Sequence, residues 1–364
     1  IAYIGKPEEN GNWAPHLHFQ IMLDLIGNKN DFPGVAFPNQ KELMCSISPN
    51  PNLLFKTYGM DLSPSITTQE TLSYRKDHLG KSLSISYDDP LKIVRGEGVH
   101  LLDNRGRRYL DTVNNVAHVG HEHPRVVKVG QQQMGVLNTN TRYLNDNINE
   151  YAKELLSTFP DKLSVVHFVN SGSEANELAL RMVKVNTTQK DIIAVEMGYH
   201  GNSNACIDIS SYKFDSKGGT GAPEHTHLVP LPDSYRGLYK GKNTASEYAK
   251  HVQEQINSIT AKGRKLGGFI CESIISCGGQ IELPKGYLKI VYEAIRNAGG
   301  LCISDEVQVG CGRVGSCFWG FQLHDVIPDI VTIGKPIGNR HPLAAVVCTK
   351  EVANGFANGM EYFN

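Results

Sequence analysis

The chain holds 364 residues, with 36 Lys and Arg against 37 Asp and Glu, so its formal net charge is −1. That balance argues against a dedicated nucleic-acid or membrane surface, and no apolar run approaches membrane-spanning length. The length permits two domains or one large one; no secretory signal pattern, internal repeat or low-complexity tract is present.

Near its start the chain alternates. In WAPHLHFQIMLD (13–24), His16, His18 and Gln20 share one strand face, while Leu17, Phe19 and Ile21 share the other. Two histidines at i and i+2 of a strand can converge on one Zn²⁺ or divide into a ligand and a base. The spacing alone is weak, because HEH at 121–123 and HTH at 225–227 occur without suggesting metal. The surrounding GNWAPHLHFQI, however, resembles the last active-site strand of lysostaphin-type zinc endopeptidases. That resemblance implies a peptidase remnant over 1–45, with His18 as a zinc ligand and His16 as a catalytic histidine. The other two ligands, from an HxxxD segment, would precede Ile1, so no complete metal site is expected. Residues 46–70, rich in Pro, Asn and Ser, read as a linker, and the main domain is expected over 71–364.

Residues 71 to about 115 predict a lead-in helix and a hairpin that begin a small domain. Apolar strands follow at 165–169, 192–195, 228–231, 268–271, 300–304, 330–333 and 343–348. They alternate with helical stretches, clearest at 173–185, 245–260 and 285–298. Such alternation predicts an α/β fold with a mainly parallel sheet covered on both faces. The eight cysteines lack CxxC spacing, and Cys271, Cys302 and Cys348 lie in apolar strands. They read as reduced, buried thiols of a cytoplasmic protein.

Several strand ends carry polar residues suited to chemistry. HFVNSGSEANELALRMV (167–183) is a strand, a Gly/Ser turn and an amphipathic helix. Ser171, Gly172 and Ser173 there either cap the helix in the ordinary way or leave N–H groups free to hold an anion. VEMGYHGNS (195–203) ends a strand in Tyr199, His200 and Gly201. GGFICE ends in Glu272, which either orients a bound cofactor's neighbour or caps the next loop. CISDEVQVGCGR (302–313) delivers Asp305 and Glu306, and VTIGKPIGNRHP (331–342) sets Lys335 in a turn directly after a strand. A lysine that forms a Schiff base must sit on a rigid, partly desolvated turn, although a solvated loop lysine is the commoner case for that motif alone. A phosphate cradle, a stacking aromatic, a buried acid and a lysine together match the needs of pyridoxal phosphate. All lie at strand carboxyl ends, where open α/β sheets place ligands.

From about residue 91 to 364 the chain resembles the class-III aminotransferases of fold type I. The resemblance rests on GEGVHLLDNRGRRYLD (96–111), NSGSEAN (170–176), GYHG (198–201), DEVQVGCGR (305–313) and GKPIGN (334–339). VNNVAHVGHEHP (113–124) looks most like the phospho-lyase branch, whose members act on ethanolamine phosphate or 5-phosphohydroxylysine. The resemblance implies that Lys335 is the imine-forming lysine and general acid/base. Gly172 and Ser173, with Ser171 beside them, would hold the cofactor phosphate, and Tyr199 would lie over its ring. Asp305 would pair with the pyridine nitrogen, Gln308 would approach the ring hydroxyl, and Glu272 would orient a cofactor neighbour.

The expected activity is transfer of an amino group from an amine or amino acid to a keto acid. Elimination of phosphate from a phosphoamine is the alternative, and a zinc metallopeptidase fragment is the competing class. His118, His121, His123 and Arg142 are candidates for a substrate phosphate, or else turn and capping residues. A homodimer is expected, because relatives build the cofactor site across the subunit interface. Ile1 and the final GMEYFN read as the two ends of a piece from a larger peptidase–aminotransferase fusion. Two departures stand out: Arg340 replaces the family's usual glycine, and Cys311 its usual phenylalanine. If position 340 needs φ > 0, arginine there costs roughly 1 kcal/mol.

Overall fold

The structure, a computed structural model, describes residues 66–139, 141–357 and 359. The peptidase-like segment with His16 and His18, and most of the 46–70 linker, lie outside the described residues. The chain divides into two units, Ile1–Gly96 with His100–Leu110, and Glu97–Val99 with Asp111–Asn364.

In the first unit, helix α1 (Thr68–His78) starts on a capping box. Thr67 Oγ1 accepts the Glu70 N–H at 3.1 Å, while Glu70 Oε2 accepts the Thr67 N–H at 2.7 Å. Strands β1 (Ile93–Glu97), β2 (His100–Asp103) and β3 (Arg108–Leu110) follow as a three-stranded sheet. Asp103 pins the β2–β3 turn by accepting from the Arg105 and Arg107 backbone, Arg107 Nε and the Tyr109 hydroxyl. The helix and hairpin expected here are present, with one further strand.

The second unit is organised by seven strands: β4 (Leu163–Val169), β5 (Asp191–Val195), β6 (Thr226–Val229), β7 (Leu266–Glu272), β10 (Leu301–Asp305), β11 (Ile330–Ile333) and β12 (Ala344–Thr349). A two-stranded ribbon, β8 (Ile274–Ile275) with β9 (Ile281–Glu282), stands apart. The main sheet runs β4-β12-β11-β10-β7-β5-β6. Each apolar run read as a strand forms one. From β11 to β6 the pairing is parallel throughout. Strand β12 is antiparallel to both β11 and β4. The cause is local: residues 334–343 join β11 to β12 without a helix, too little chain for a crossover, so the chain turns back on itself.

The sheet is covered on both faces. Helices α2 (Pro124–Met134), α3 (Asp146–Leu156), α4 (Gly172–Thr187), α5 (Asn204–Asp208), α6 (Ser211–Phe214), α7 (Thr244–Ala261), α8 (Tyr287–Asn297) and α9 (Lys350–Phe356) complete the unit. Alternation along the strands sorts the core. Ile193, Val195, Phe269, Cys271 and Cys302 pack with α7 and α8, whereas Ile192, Ala194, Ile270 and Ile303 pack with α4 and α9. On α8 the buried residues Tyr287, Leu288, Val291, Tyr292 and Ile295 follow helical spacing. Each full apolar side chain so buried contributes about 1.5–3 kcal/mol of gross stabilisation. Cys271, Cys302 and Cys348 are buried free thiols, as their strand positions predicted, and burial raises all three.

Both departures from the family pattern fall on left-handed backbone. Arg340 has φ +80° and is exposed, and Cys311 has φ +61° with its side chain against the cluster of Phe159, Trp319 and Val347. Arg340→Gly is therefore expected to raise stability by about 1 kcal/mol in urea unfolding. An unchanged or lowered midpoint would show that position 340 carries no strain.

Candidate active site

The carboxyl ends of the parallel strands converge on one acid. Register pairs Asp305 on β10 with Glu272 on β7 and with Thr332 on β11. Asp305 Oδ2 accepts from Asn176 Nδ2 on α4 and from His200 Nδ1 beyond β5, both at 2.8 Å. Its Oδ1 accepts the Val307 N–H at 3.0 Å. His200 is fixed in turn: its backbone N–H donates to Ser210 Oγ at 2.9 Å, and its carbonyl accepts from Asn176 Nδ2 at 2.7 Å. Two segments distant in sequence, and the N–H two residues on, thus hold one buried carboxylate by charge-assisted bonds. His200 Nε2 and Asn176 Oδ1 remain buried without a partner.

Lys335 stands in the turn after β11, half-buried, and its Nζ donates to Gln308 Oε1 at 2.8 Å. The same oxygen accepts from Asn115 Nδ2 at 3.2 Å. Close backbone approach puts the lysine there. A Cβ on Gly334 would lie 2.8 Å from Val307 Cγ1 and 3.2 Å from the Gly172 Cα, and a Cβ on Gly172 would lie 2.5 Å from Val307 Cγ1. Val307 therefore wedges between two glycines, and the lysine turn, the 305–308 segment and the start of α4 meet only because both lack side chains.

At the start of α4 the three candidate residues differ. Ser171 Oγ accepts the Glu174 N–H at 3.2 Å, the ordinary capping role. Ser173 Oγ accepts the Asn202 N–H at 3.0 Å. The first-turn N–H groups of Gly172 and Ser173 have no intrahelical acceptor and are suited to an anion. Gly201, at φ +133°, admits no side chain, since its Cβ would sit 2.8 Å from Ser173 Oγ. Tyr199 is half-buried and donates its backbone N–H to Glu272 Oε1 at 3.4 Å. Glu272 Oε2 takes the Ser276 N–H and hydroxyl. Burial, and then the neighbouring Asp305 charge, push the Glu272 carboxyl above its ordinary range.

Glu306 points the other way and ties down the following loop. Its Oε1 accepts from Ser273 Oγ at 2.5 Å, Ser304 Oγ at 3.1 Å and the Phe321 N–H at 2.8 Å, and its Oε2 accepts the Gly320 N–H at 2.6 Å. Burial pushes its carboxyl up to about 7 despite these donors. A raised acid favours folding while protonated, so its contribution is full below about pH 4 and is lost as pH rises through about 7. The expected loss is on the order of 3 kcal/mol. Urea unfolding between pH 5 and 8 should show this slope in the native chain and a shallower one in Glu306→Gln. The variant should also be weaker at pH 5, because its amide nitrogen must face the Gly320 or the Phe321 N–H. Parallel pH profiles would rule out Glu306 as the source.

Lys335, Gln308, Asp305, Glu272, Tyr199, Gly172 and Ser173 all come to one end of the sheet, and Ser171 serves the helix. Two of the histidine candidates, His118 and His121, are bonded to protein partners, whereas the His123 Nδ1 is buried without one. His121 Nε2 pairs with Asp111 at 2.7 Å, and His118 Nε2 bonds the Cys311 carbonyl at 2.8 Å. His123 is the N-cap residue of α2. Sequence reasoning missed His200 and Asn176 as the holders of Asp305. Their signal was position, since His200 follows Tyr199 directly and Asn176 closes NSGSEAN. Among the described residues no cluster could hold a metal ion, and no helix is long and apolar enough to cross a membrane.

Residues 84–361 match the family described as Aminotransferase class-III. An alanine–glyoxylate aminotransferase 2-like protein of Drosophila melanogaster is 48% identical over 83% of this chain and 63% of its own length. A phospholyase from Arthrobacter, solved in complex with phosphoethanolamine, is 39% identical with TM-score 0.76, over 81% of this chain and 69% of that one. A taurine:2-oxoglutarate aminotransferase from Bifidobacterium kashiwanohense, solved with PLP and glutamate, is 25% identical with TM-score 0.72, over 82% of this chain and 69% of that one. The chain spans less than two thirds of the length of the curated relatives it matches first. The sheet and its helices have the α/β fold of the fold type I pyridoxal-phosphate-dependent transferases, and the chain belongs to the class-III aminotransferase family.

Proposed function

We propose that this chain is the pyridoxal-phosphate-binding part of an aminotransferase that moves an amino group from an amine or amino acid to a keto acid. One observation carries the reading: Lys335 rests on a neutral amide, Gln308, at the same strand ends where three donors fix Asp305. The glycines at 172 and 201 support the cofactor assignment, because a side chain at 201 would collide with Ser173 and one at 172 would push away Val307, next to Gln308. When bound, pyridoxal phosphate supplies an aldehyde that captures the amine and a ring that accepts electrons from Cα. Gly172 and Ser173 N–H groups would hold its phosphate, Tyr199 would pack on its ring, and Asp305 would keep a proton on its pyridine nitrogen. Gln308 would orient Lys335, which moves the proton at the substrate's Cα.

Phosphate elimination from a phosphoamine is the second reading, favoured by the likeness to the Arthrobacter phospholyase. A second copy of this chain is the proposed partner. Met134, Val136, Tyr143 and Leu144 are 84, 81, 70 and 104% exposed, large apolar side chains that a partner would cover. Sedimentation at the mass of a single chain would remove that part. The free thiols suit a reducing compartment, taken here as the cytoplasm. The division into a peptidase-like 1–45, a linker at 46–70 and an enzyme domain over 71–364 rests on sequence.

The test is a visible spectrum of the protein with pyridoxal phosphate, then borohydride reduction and peptide mapping. Cofactor mass on the peptide holding Lys335, followed by turnover of an amine, is the expected result. Absence of both would sink the reading.

A further inference from the structure

Residues 113–121 are fastened to both loops that carry the cleft. On the lysine turn, Asn339 Oδ1 accepts the Val119 N–H at 3.0 Å, and Asn339 Nδ2 donates to the Gly120 carbonyl at 3.2 Å. On the other loop, Arg313 Nη2 donates to the Asn115 carbonyl at 2.7 Å and to His118 Nδ1 at 3.1 Å. A guanidinium can only donate, so His118 Nδ1 is the accepting nitrogen, and its Nε2–H donates to the Cys311 carbonyl at 2.8 Å. Arg313 is itself set by a tight loop. The Gly312 N–H closes on the Phe318 carbonyl at 2.8 Å, and a Cβ on Gly310 would meet Trp319 Cζ3 at 2.7 Å. Asn115 is therefore held through its own backbone, from which its side chain reaches Gln308.

We propose that Asn115 is a positioning residue for the lysine amine: it acts through Gln308, and Arg313 holds it in place. The inference rests on Lys335 being the amine-processing lysine and adds what aims it. Gln308 Oε1 has two lone pairs; Lys335 Nζ takes one at 2.8 Å and Asn115 Nδ2 takes the other at 3.2 Å. A lone amide turns over easily, exchanging oxygen for NH₂ with almost no change of shape. The turned-over Gln308 would offer Lys335 a donor where the lysine now has its acceptor. Paired with Asn115, Gln308 can turn only if Asn115 turns with it, since otherwise NH₂ would face NH₂. The pair thus keeps the Gln308 carbonyl toward the lysine. Nothing local builds this contact, which joins residues 193 apart in the chain.

Competitive acetylation of the cofactor-free protein, mapped by mass spectrometry, reads the Lys335 amine against the exposed Lys289 of α8 as internal standard. Asn115→Ala is expected to raise Lys335 acetylation relative to Lys289 by roughly 2- to 10-fold, the range of one net hydrogen bond. In the loaded enzyme kcat should fall by a similar factor, with KM for the amine unchanged. Arg313→Ala should shift both readouts the same way, and Arg313→Lys, which still donates, should recover most of the shift. In a Gln308→Ala background Asn115→Ala should change neither readout, because the residue it acts through is gone. Full additivity in that background, or no change in Asn115→Ala, would overturn the inference. A lowered urea midpoint with Lys289 acetylated faster as well would also overturn it, as the mark of a merely structural role. Failure of the enzyme reading is separable. If no cofactor attaches to Lys335, the acetylation ratios still show whether Asn115 holds the amine through Gln308.

Discussion

Lys335→Ala is expected to lower amine turnover by roughly 10⁴-fold or more, the size of a lost general base compounded by a lost covalent attachment point. Its stability should change by about 1.5 kcal/mol or less, because one half-buried hydrogen bond is lost. That bond is the 2.8 Å contact to Gln308 Oε1, and Asn115 still donates to the same oxygen when the lysine is gone. Lys335→Arg should not restore activity. The guanidinium stays charged and so cannot accept the Cα proton. The measurement is turnover under saturating cofactor, paired with a urea titration of each variant. Residual activity within tenfold of the native chain would remove Lys335 from the chemistry. A large stability loss would instead mean that the turn, and not the amine, had been damaged.

The separation of those two effects depends on how the turn is built, and the sequence disclosed only part of that. GKPIGN after an apolar strand marked a lysine in a rigid turn. It did not reveal that Gly334 must be bare for Val307 and Gly172 to approach, which is a contact between segments more than 130 residues apart. Strand existence was legible, because a strand buried on both faces must be apolar along its whole length, as β7 is. Strand direction was not legible from the same signal. The reversal of β12 follows from the missing helix in 334–343, a length argument that apolar periodicity does not carry. Asp305 and Glu306 look alike as adjacent acids at a strand end. Alternation sends Asp305 to His200 and Asn176 and sends Glu306 to Ser273 and the 320–321 backbone, so only one can serve a ligand. The two readings left open for His118 and His121, phosphate holder or turn residue, part for a related reason. His118 and His121 are polar and near the expected substrate, but each is consumed by a protein acceptor that one-dimensional reading does not show.

Asp305→Asn should behave differently from the lysine variant, although both lie in one cleft. Both carboxylate oxygens of Asp305 now receive donors: Asn176 and His200 on Oδ2, Val307 N–H on Oδ1. An amide of the same shape must turn its NH₂ toward one of those sets, leaving buried donors face to face. Breaking a buried pair from one side costs about 3–5 kcal/mol. Turnover is expected to fall by roughly 10³-fold, a charge-stabilisation loss of about 4 kcal/mol. Function and stability should therefore drop together in Asp305→Asn and part company in Lys335→Ala. His200→Asn sharpens the reading, since it removes one donor from Asp305 but keeps the acid itself. If Asp305 acts through its charge, His200→Asn should retain most turnover while losing stability. If His200→Asn loses as much turnover as Asp305→Asn, the orientation of the carboxylate, and not its charge alone, limits the reaction.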